Sequence, residues 1–293
     1  MTTAVSREAG RRGRPLHHRV LWGLGMFFLA LTALAMLFPL YIVVVNAFKP
    51  QQAILSDPTS LSPDQLTPEF LIAAINGGSF SVPAAYAFTT LLVILVNVFS
   101  IAIAAPVSYV IVRSTPRFRG ALLIYFVAGM FIPVAAIIIP VIYVLRVLGL
   151  MGTIPGLVAL QTCLTLPLAI FLFSSYLSAL PRELDDAASI DGAGPIRTFW
   201  LVYFPLMKPA VATVVILNSL GVWNDFVTPQ TILGPASGMY TVTTGLYAAI
   251  GRFFTDYTVV FPDLLLVIAP ILVFFVALQR YIIGGLSVGA TKG

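Results

Sequence analysis

The sequence contains uncharged apolar runs that are too long for a soluble core. One extends from Val20 to Phe48 and another from Ala84 to Val112, and neither contains a charged residue. A transmembrane helix needs about 20 consecutive, predominantly apolar residues, so each run can cross a bilayer as a helix. Charged residues make up 9% of the chain, whereas soluble domains have about a quarter. These features predict an all-α integral membrane protein and exclude a soluble globular fold.

The apolar runs divide the chain into one membrane domain with a tail at each end. We predict a disordered basic tail over 1–19, a transmembrane domain over 20–285 and a C-terminal tail over 286–293. The first run exceeds the apolar part of a signal peptide and no small-residue cleavage motif closes it, so we expect it to remain as a helix. The predicted transmembrane helices cover about 20–48, 84–112, 121–144, 157–180, 210–228 and 259–281.

Basic residues are distributed unevenly between the two sides of this arrangement. If the N-terminal tail is cytoplasmic, all 16 Lys and Arg residues except Lys49, Arg146 and Arg252 lie on the cytoplasmic side. Cytoplasmic loops of membrane proteins carry an excess of Lys and Arg. The pattern therefore predicts that both termini are cytoplasmic. The net charge of +5 reflects this orientation and does not indicate nucleic acid as a partner, because the arginines are scattered.

The most charged interior segment, residues 181–209, lies between two apolar runs. Pro181 suits a first helical position, and Glu183, Asp185 and Asp186 fall in the first turn, where carboxylates stabilise a helix N-terminus. The sequence therefore predicts a short helix here. One face of it carries small or apolar residues and ends in an acid: Leu184, Ala187, Ala188 and Asp191.

The second half of this segment predicts another short helix. Gly192 can turn the chain, because only glycine enters positive φ at low cost. Gly194 and Pro195 then begin a helix that Pro205 and Pro209 are expected to end. The segment should thus form two helices joined at a glycine elbow. The predicted apolar face of the second helix consists of Ile196, Phe199, Trp200 and Tyr203.

This segment resembles the EAA loop of ABC importer permeases, the cytoplasmic segment that docks on the ATPase subunit. The matching residues are Glu183 to Ala188, Ile190 to Ala193, Phe199, Pro205 and Pro209, in the family's order and spacing. The glutamate that names the motif is Asp186 here, and we expect Asp186 to cap its helix or to pair with a basic residue of the ATPase. The alternative is an ordinary acidic hairpin between spans. The resemblance implies that the ATPase-coupling residues are Glu183, Asp185, Asp186, Ala187, Ala188, Asp191, Gly192, Ala193, Phe199 and Pro205.

Two further stretches are similar to carbohydrate-type permeases of the maltose-permease class. One is Trp223 to Phe226, and the other comprises Gln279 to Tyr281 and the glycine-rich ending. The resemblance implies a type I ABC importer fold in a bacterial-type inner membrane, with Ser287, Lys292 and Gly293 of the tail in contact with the ATPase. It also implies the partners: a homologous second permease, an ABC ATPase dimer, an extracytoplasmic solute-binding protein, membrane lipid and a carbohydrate or polyol substrate.

The chain contains no P-loop of the form G-x-x-x-x-G-K-[ST]. The phosphates of ATP are bound by such a loop in many ATPases, so we expect ATP and Mg²⁺ to be bound by the partner ATPase. We predict neither a cofactor, a metal site nor a catalytic residue in this chain, because both histidines, His17 and His18, lie in the basic tail.

Polar residues inside the apolar runs are candidates for a translocation path. A charge at mid-helix costs about 2.5 to 3.5 kcal/mol on insertion scales, so intramembrane carboxylates should face protein or water. For the amides, interhelical hydrogen bonds are an equally good explanation, and for Asp225 and Asp263 so is a position near the interface. The candidates for the path are Asn97, Gln161, Asn218, Asn224 and Asp225.

The main alternative function is a secondary transporter or channel driven by an ion gradient. Asp225 or Asp263 would then be the coupling carboxylate. Secondary transporters usually contain internal repeats and paired broken helices, and we find no repeat between the first three and the last three predicted spans. The sequence therefore favours a permease subunit that depends on a separate ATPase.

Overall fold

The computed structural model describes residues 16–76, 80–234, 237–250 and 256–290. Within these ranges the secondary structure is helical throughout, with no strand. A short 3-10 turn over Pro63–Gln65 and a π-helical turn over Phe199–Tyr203 supplement the α-helices. The α-helices are α1 (Leu16–Asn46), α2 (Gln51–Ser56), α3 (Glu69–Ile75), α4 (Val82–Arg113), α5 (Pro116–Gly129), α6 (Val134–Val147), α7 (Ile154–Ser178), α8 (Glu183–Ile190), α9 (Pro195–Thr198), α10 (Phe204–Leu206), α11 (Lys208–Asn224), α12 (Val227–Ile232), α13 (Val242–Ala249) and α14 (Tyr257–Ala290).

Three of these helices are long and apolar enough to cross a membrane unbroken: α1, α4 and α7. Two bent pairs pass the same criterion together, α5 with α6 at 94° and the stretch Pro195–Leu206 with α11 at 73°. The final helix, α14, begins at Tyr257 and has an apolar part over Tyr257–Val273. The prediction of an all-α membrane protein is confirmed. The count of six spans stays a prediction.

The predicted span over 121–144, for which we expect interruptions at Pro133 and Pro140, corresponds to two helices. A break over residues 130–133 that ends at Pro133 separates α5 from α6, whereas Pro140 lies inside α6. Proline lacks an amide hydrogen and its ring clashes with the preceding turn, so it breaks a helix where neighbours do not hold the path straight. Pro39, Pro106 and Pro167 by contrast lie inside unbroken helices.

Two other predicted boundaries also need correction. The fifth apolar run is helical only to Asn224, because Asp225 is extended at φ −70° and ψ 120°, and α12 begins at Val227. At the N-terminus, α1 begins at Leu16, so the last residues of the predicted 1–19 tail are helical. The remainder of that tail lies outside the described residues.

The centre of the fold is the packing of α4 against α7. Small residues on both helices, Ala104 and Ala105 on α4 and Ala169 on α7, are completely buried. The hydroxyl of Ser108 donates to the carbonyl oxygen of Ile170 across the pair at 3.2 Å. Small residues let helix backbones approach closely, which is the usual basis of helix packing in membranes. The same core includes Phe199, Tyr203 and Met207, so the segment that follows α8 is built into it.

Candidate functional site

The predicted glycine elbow is present between α8 and α9. Gly192 has φ 73°, the left-handed conformation that glycine adopts at low cost. The amide of Gly192 donates to the carbonyl oxygen of Ser189 at 3.1 Å, and that of Ala193 to Ala188 at 2.9 Å. These two bonds form a Schellman motif, which satisfies carbonyls that α8 leaves free at its end. The prediction of a sharp glycine reversal is confirmed.

The stretch after the elbow departs from the predicted regular helix. A π-helical turn over Phe199–Tyr203 connects α9 to α10, and the chain bends at Met207 into α11. The helical stretch that begins at Pro195 ends at Leu206, and the chain turns by 73° into α11, whose first turn contains Pro209. The prediction that the second helix ends at Pro205 and Pro209 is therefore confirmed.

The predicted apolar face of this stretch divides into buried and exposed residues. Phe199 and Tyr203 are 3% and 0% exposed, whereas Ile196 is 78% exposed and Trp200 is also exposed. The buried residues Phe199, Tyr203 and Met207 lie four positions apart in the chain. Because a π-helical turn has more residues per turn than an α-helix, the side chains that face α4 and α7 recur every four residues.

An ion pair fixes α8 to the end of α4. Nε of Arg113 lies 2.7 Å from Oδ2 of Asp185, and the hydroxyl of Tyr109 donates to Oδ1 of the same carboxylate at 3.4 Å. Both charged side chains are largely buried, at 18% and 28% exposed. Arg113 also lies in the last turn of α4, where a cation interacts favourably with the helix dipole.

Aromatic rings enclose the guanidinium group of this pair. Its Cζ lies 4.6 Å from the centre of the Tyr203 ring and 5.6 Å from that of Tyr109. The Tyr109 ring in turn contacts Tyr203 at 5.1 Å and Phe199 at 5.4 Å between centroids. Cation–π contacts strengthen when the cation is removed from water. One cluster thus connects α4, α8 and the π-helical turn, and we call Tyr109, Arg113, Asp185, Phe199 and Tyr203 the anchor cluster.

Of the two adjacent aspartates, Asp185 and not Asp186 faces the protein. Asp186 is exposed and α8 has no side-chain cap, so the first of its two expected roles, capping the helix, is wrong. Pairing of Asp186 with a basic residue of the ATPase stays a prediction. Leu184 and Ala188 accompany Asp185 on the inward side, whereas Ala187 is exposed. The sequence predicted Asp185 as a coupling residue but not its partners Tyr109 and Arg113. The sequence feature that could have indicated Arg113 as a partner is its position directly after the second apolar run.

The outward side of the segment exposes large apolar side chains. Ile190 is 87% exposed, and three large apolar residues that follow it in the sequence are also exposed: Ile196, Trp200 and Leu201. Gly194, Pro195, Ile196, Arg197, Trp200 and Leu201 line a shallow open depression. Glu183, Asp186 and Asp191 are also exposed. The segment therefore presents a mixed apolar and acidic surface, which is suited to contact with another protein.

The candidate path residues Gln161 and Asp225 lie together between α7 and α12. Nε2 of Gln161 donates to Oδ2 of Asp225 at 3.1 Å and is 3.2 Å from Oγ1 of Thr228. The hydroxyl of Thr228 also donates to this carboxylate, and its backbone amide donates to Oδ1 at 3.2 Å. Asp225 is thus held by both helices.

Asn97 and Asn218 connect α4 to α11. Nδ2 of Asn97 lies 3.1 Å from the hydroxyl of Ser219, and Nδ2 of Asn218 lies 3.3 Å from that of Ser100. These are the interhelical bonds that sequence reasoning left open as an alternative. Asn224 differs, because it is exposed and its amide donates within its own helix, to the carbonyl oxygen of Leu220 at 2.8 Å. Among the five candidates it is the one whose amide faces outward.

The predicted C-terminal contact residues are placed only in part. The helix α14 continues to Ala290, so Ser287 lies within it and not in a separate tail. Lys292 and Gly293 lie outside the described residues.

The fold is similar to that of a solved transporter. A chain in the crystal structure of a bacterial ABC transporter involved in the import of the acidic polysaccharide alginate matches with a TM-score of 0.80 and 21% sequence identity. The match covers 92% of this chain and 99% of that one.

Sequence comparison identifies several relatives. The multiple sugar-binding transport system permease protein of Streptococcus mutans is 32% identical over 90% of this chain and 95% of its own length. The diacetylchitobiose uptake system permease protein of Streptomyces coelicolor is also 32% identical, over 90% of this chain and 87% of its own. The melibiose/raffinose/stachyose import permease protein of Bacillus subtilis is 28% identical over 90% and 94%.

The family model described as binding-protein-dependent transport system inner membrane component matches residues 98–288. This stretch includes the anchor cluster, the elbow and most of the predicted spans. The family match therefore favours an importer permease over the alternative function, a secondary transporter driven by an ion gradient. The chain belongs to this family of inner membrane components, and it is a permease subunit of a binding-protein-dependent importer.

Proposed function

We propose that this permease subunit is non-catalytic, that it carries a sugar or related polyol, and that residues 181–209 couple it to a separate ATPase. The observation that carries the coupling role is the two-sided segment after α7. Its inner side is fixed to α4 through Arg113 and Asp185, and its outer side exposes Ile190 and Ile196. Large apolar side chains exposed beside carboxylates suit a protein partner better than lipid.

Several features support an ATPase as the partner of this surface. The chain has no P-loop, so ATP and Mg²⁺ must be bound by another polypeptide. The distribution of Lys and Arg supports a cytoplasmic position for residues 181–209 and for both termini. In this arrangement a motion of the ATPase reaches α8 first and passes to α4 through the anchor cluster.

Site-directed cross-linking tests this assignment. A benzophenone maleimide attached to a cysteine at Ile190 or at Ile196, in a Cys163→Ser background, should cross-link to a P-loop ATPase in the assembled complex. A cysteine at Leu61 provides the matched control, because Leu61 is similarly exposed at 61% but lies in the predicted external loop. Cross-links to the ATPase from Leu61 alone, or from none of the three positions, would refute the proposal.

The proposed substrate class rests on the relatives. The named proteins of Streptococcus mutans, Streptomyces coelicolor and Bacillus subtilis transport multiple sugars, diacetylchitobiose and melibiose, raffinose or stachyose, respectively. An extracytoplasmic solute-binding protein would deliver the substrate. Purification of the whole complex with its binding protein, followed by mass analysis of the bound ligand, should identify a saccharide or polyol. An amino acid or a metal ion in its place would contradict the proposed class.

The second proposed partner is a different, homologous permease. The bent pair α5–α6 exposes large apolar residues, among them Phe131, Ile139 and Tyr143, and a surface of this kind needs lipid or another membrane subunit against it. Native mass measurement of the detergent-solubilised complex should show one copy of this chain, one copy of a second permease and two ATPase subunits. Two copies of this chain without a second permease would exclude a heterodimeric pore.

A further inference from the structure

A basic pocket lies where α5 begins, outside the anchor cluster. It occupies about 260 Å³ and is partly open to the surroundings. Its lining combines two arginines from different parts of the chain, Arg119 of α5 and Arg182 at the start of α8, with Ser114, Pro116, Gly120 and Leu123. Positive charges from two elements thus converge on one opening.

The charges of both arginines are uncompensated within the structure. Among the described residues, neither Arg119 nor Arg182 forms an ion pair, and the ion pair present there is Arg113–Asp185. Nη2 of Arg119 donates to the hydroxyl of Ser178 at 2.6 Å. This neutral partner fixes the direction of the guanidinium group but leaves its charge available. Guanidinium groups bind phosphate through paired, charge-assisted hydrogen bonds.

The start of α5 adds to the positive potential of the pocket. Pro116 is in the first turn of this 14-residue helix, and the N-cap residue Thr115 makes no side-chain capping bond. Free amide hydrogens and the positive end of the helix dipole therefore face the same region as the two arginines. An anion placed there would interact with all three groups.

The pocket borders an exposed apolar surface of α5. Beyond the arginines, α5 becomes apolar, and Phe118, Ile124 and Tyr125 are exposed on its surface. Leu123 forms part of the pocket wall itself. A ligand with a phosphate group and an apolar tail would fit this combination, because the tail could lie along the exposed side of α5. Basic pockets between transmembrane helices bind anionic headgroups in this way.

We propose that this pocket binds the phosphate of an anionic phospholipid headgroup through Arg119 and Arg182. The lipid would brace α5 against the start of α8 from the membrane side. Arg182 begins the proposed coupling segment, but Ile190 and Ile196 do not line the pocket. The inference rests on the lining of the pocket and requires no contact with the ATPase.

Native mass spectrometry of the intact importer complex tests the proposal. The complex is delipidated and titrated with phosphatidylglycerol, with phosphatidylcholine, and with phosphatidylglycerol in the presence of inorganic phosphate. The combined variant Arg119→Gln with Arg182→Gln should bind phosphatidylglycerol about 25-fold more weakly than the native complex, because each basic residue near an anionic lipid contributes about a factor of five. Arg117→Gln with Arg146→Gln is the matched control, since it removes the same charge from exposed positions that do not line the pocket.

Four results would overturn the proposal. Three of them are that the native complex binds no phosphatidylglycerol, that the control variant loses binding equally, and that phosphatidylcholine is retained equally. The fourth is that an equal concentration of inorganic phosphate displaces the lipid, which would assign the pocket to the free anion.

If the glutamine variant does not assemble, Arg119→Lys with Arg182→Lys retains both charges but loses the paired hydrogen bonds. Binding of phosphatidylglycerol should then be weaker than in the native complex, and unchanged binding would refute the role of the two guanidinium groups.

Discussion

Arg113 at the end of α4 and Asp185 in the first turn of α8 form an ion pair of 2.7 Å, although 72 positions separate them in the chain. The pair connects a helix of the transmembrane core to the segment that we propose as the ATPase contact. Tyr109 donates to the same carboxylate, and Tyr203 covers the guanidinium group. The anchor cluster is thus the direct mechanical link between α8 and α4.

Removal of either member of this pair should loosen α8. Breaking a fully buried pair costs about 3 to 5 kcal/mol, and this pair is partly exposed, so we expect about 1 to 3 kcal/mol. Arg113→Gln and Asp185→Asn should each lower the melting temperature of the complex in nanodiscs and weaken the stimulation of ATPase activity by substrate. The double variant should be no worse than the poorer single variant, because the lost interaction is the same. Strictly additive losses would show that the two residues act separately.

Asn224 and Gln161 should respond differently to substitution, although both are amides in apolar runs. Gln161→Ala removes one donor from the half-buried Asp225 carboxylate, which keeps its bonds from Thr228, so it should lower the melting temperature. The loss of a hydrogen bond to a charged group costs about 1.5 to 3 kcal/mol. Asn224→Ala loses a bond within its own helix, so the melting temperature should be unchanged. Asn224 is a candidate for the translocation path, so this variant should raise the KM of uptake in proteoliposomes.

The opposite pattern would reverse these assignments. A fall in melting temperature for Asn224→Ala with normal uptake would make Asn224 a packing residue. A change in the KM of uptake for Gln161→Ala at unchanged stability would move the path to the cluster around Asp225.

The orientation in the membrane can be measured with single cysteines. In a Cys163→Ser background, a cysteine at Leu61 should react with an impermeant maleimide in intact cells, and one at Ser189 should react only after lysis. Both positions lie in loops or short helices outside the candidate spans. Labelling of Ser189→Cys in intact cells would place residues 181–209 outside the cytoplasm and would remove the ATPase contact.

The sequence predicted the elements whose physics is local. The spans α4 and α7 follow from uninterrupted apolar runs, and their observed ends, at Arg113 and Ser178, lie within two residues of the predicted ones. The reversal at Gly192 was predictable because few residues other than glycine adopt φ 73° there. The acids at the start of α8 likewise indicated a helix start.

The sequence did not predict what depends on contacts between distant segments. Choosing Asp185 over Asp186 as the inward acid requires knowing that Arg113 lies beside α8. The π-helical turn over Phe199–Tyr203 packs into the core of α4 and α7, a contact that the local sequence does not reveal. The effect of a proline on its helix likewise depends on contacts with other segments, since Pro133 lies at the break between two helices and Pro106 lies within an unbroken one. Neighbouring helices decide which of these outcomes occurs.

The test of the central claim, that residues 181–209 couple the permease to the ATPase, is a comparison of two glycines that lie two positions apart. Gly192 has φ 73° and Gly194 has φ −73°, and a Cβ at either position would meet no atom within 4 Å. Only Gly192→Val is therefore strained, by about 1 to 2 kcal/mol of backbone energy. Gly192→Asn should be milder than Gly192→Val because asparagine tolerates this conformation, and Gly194→Ala is the matched control.

The decisive measurement is the ratio of substrate uptake to ATP hydrolysis by purified complexes in proteoliposomes. We predict that Gly192→Val assembles with normal subunit ratios but transports several-fold less substrate per ATP hydrolysed, since about 1.4 kcal/mol is tenfold in an equilibrium. Gly192→Asn should lie between Gly192→Val and the native complex, and Gly194→Ala should match the native complex. Normal uptake per ATP in a fully assembled Gly192→Val complex would contradict the coupling role of this segment.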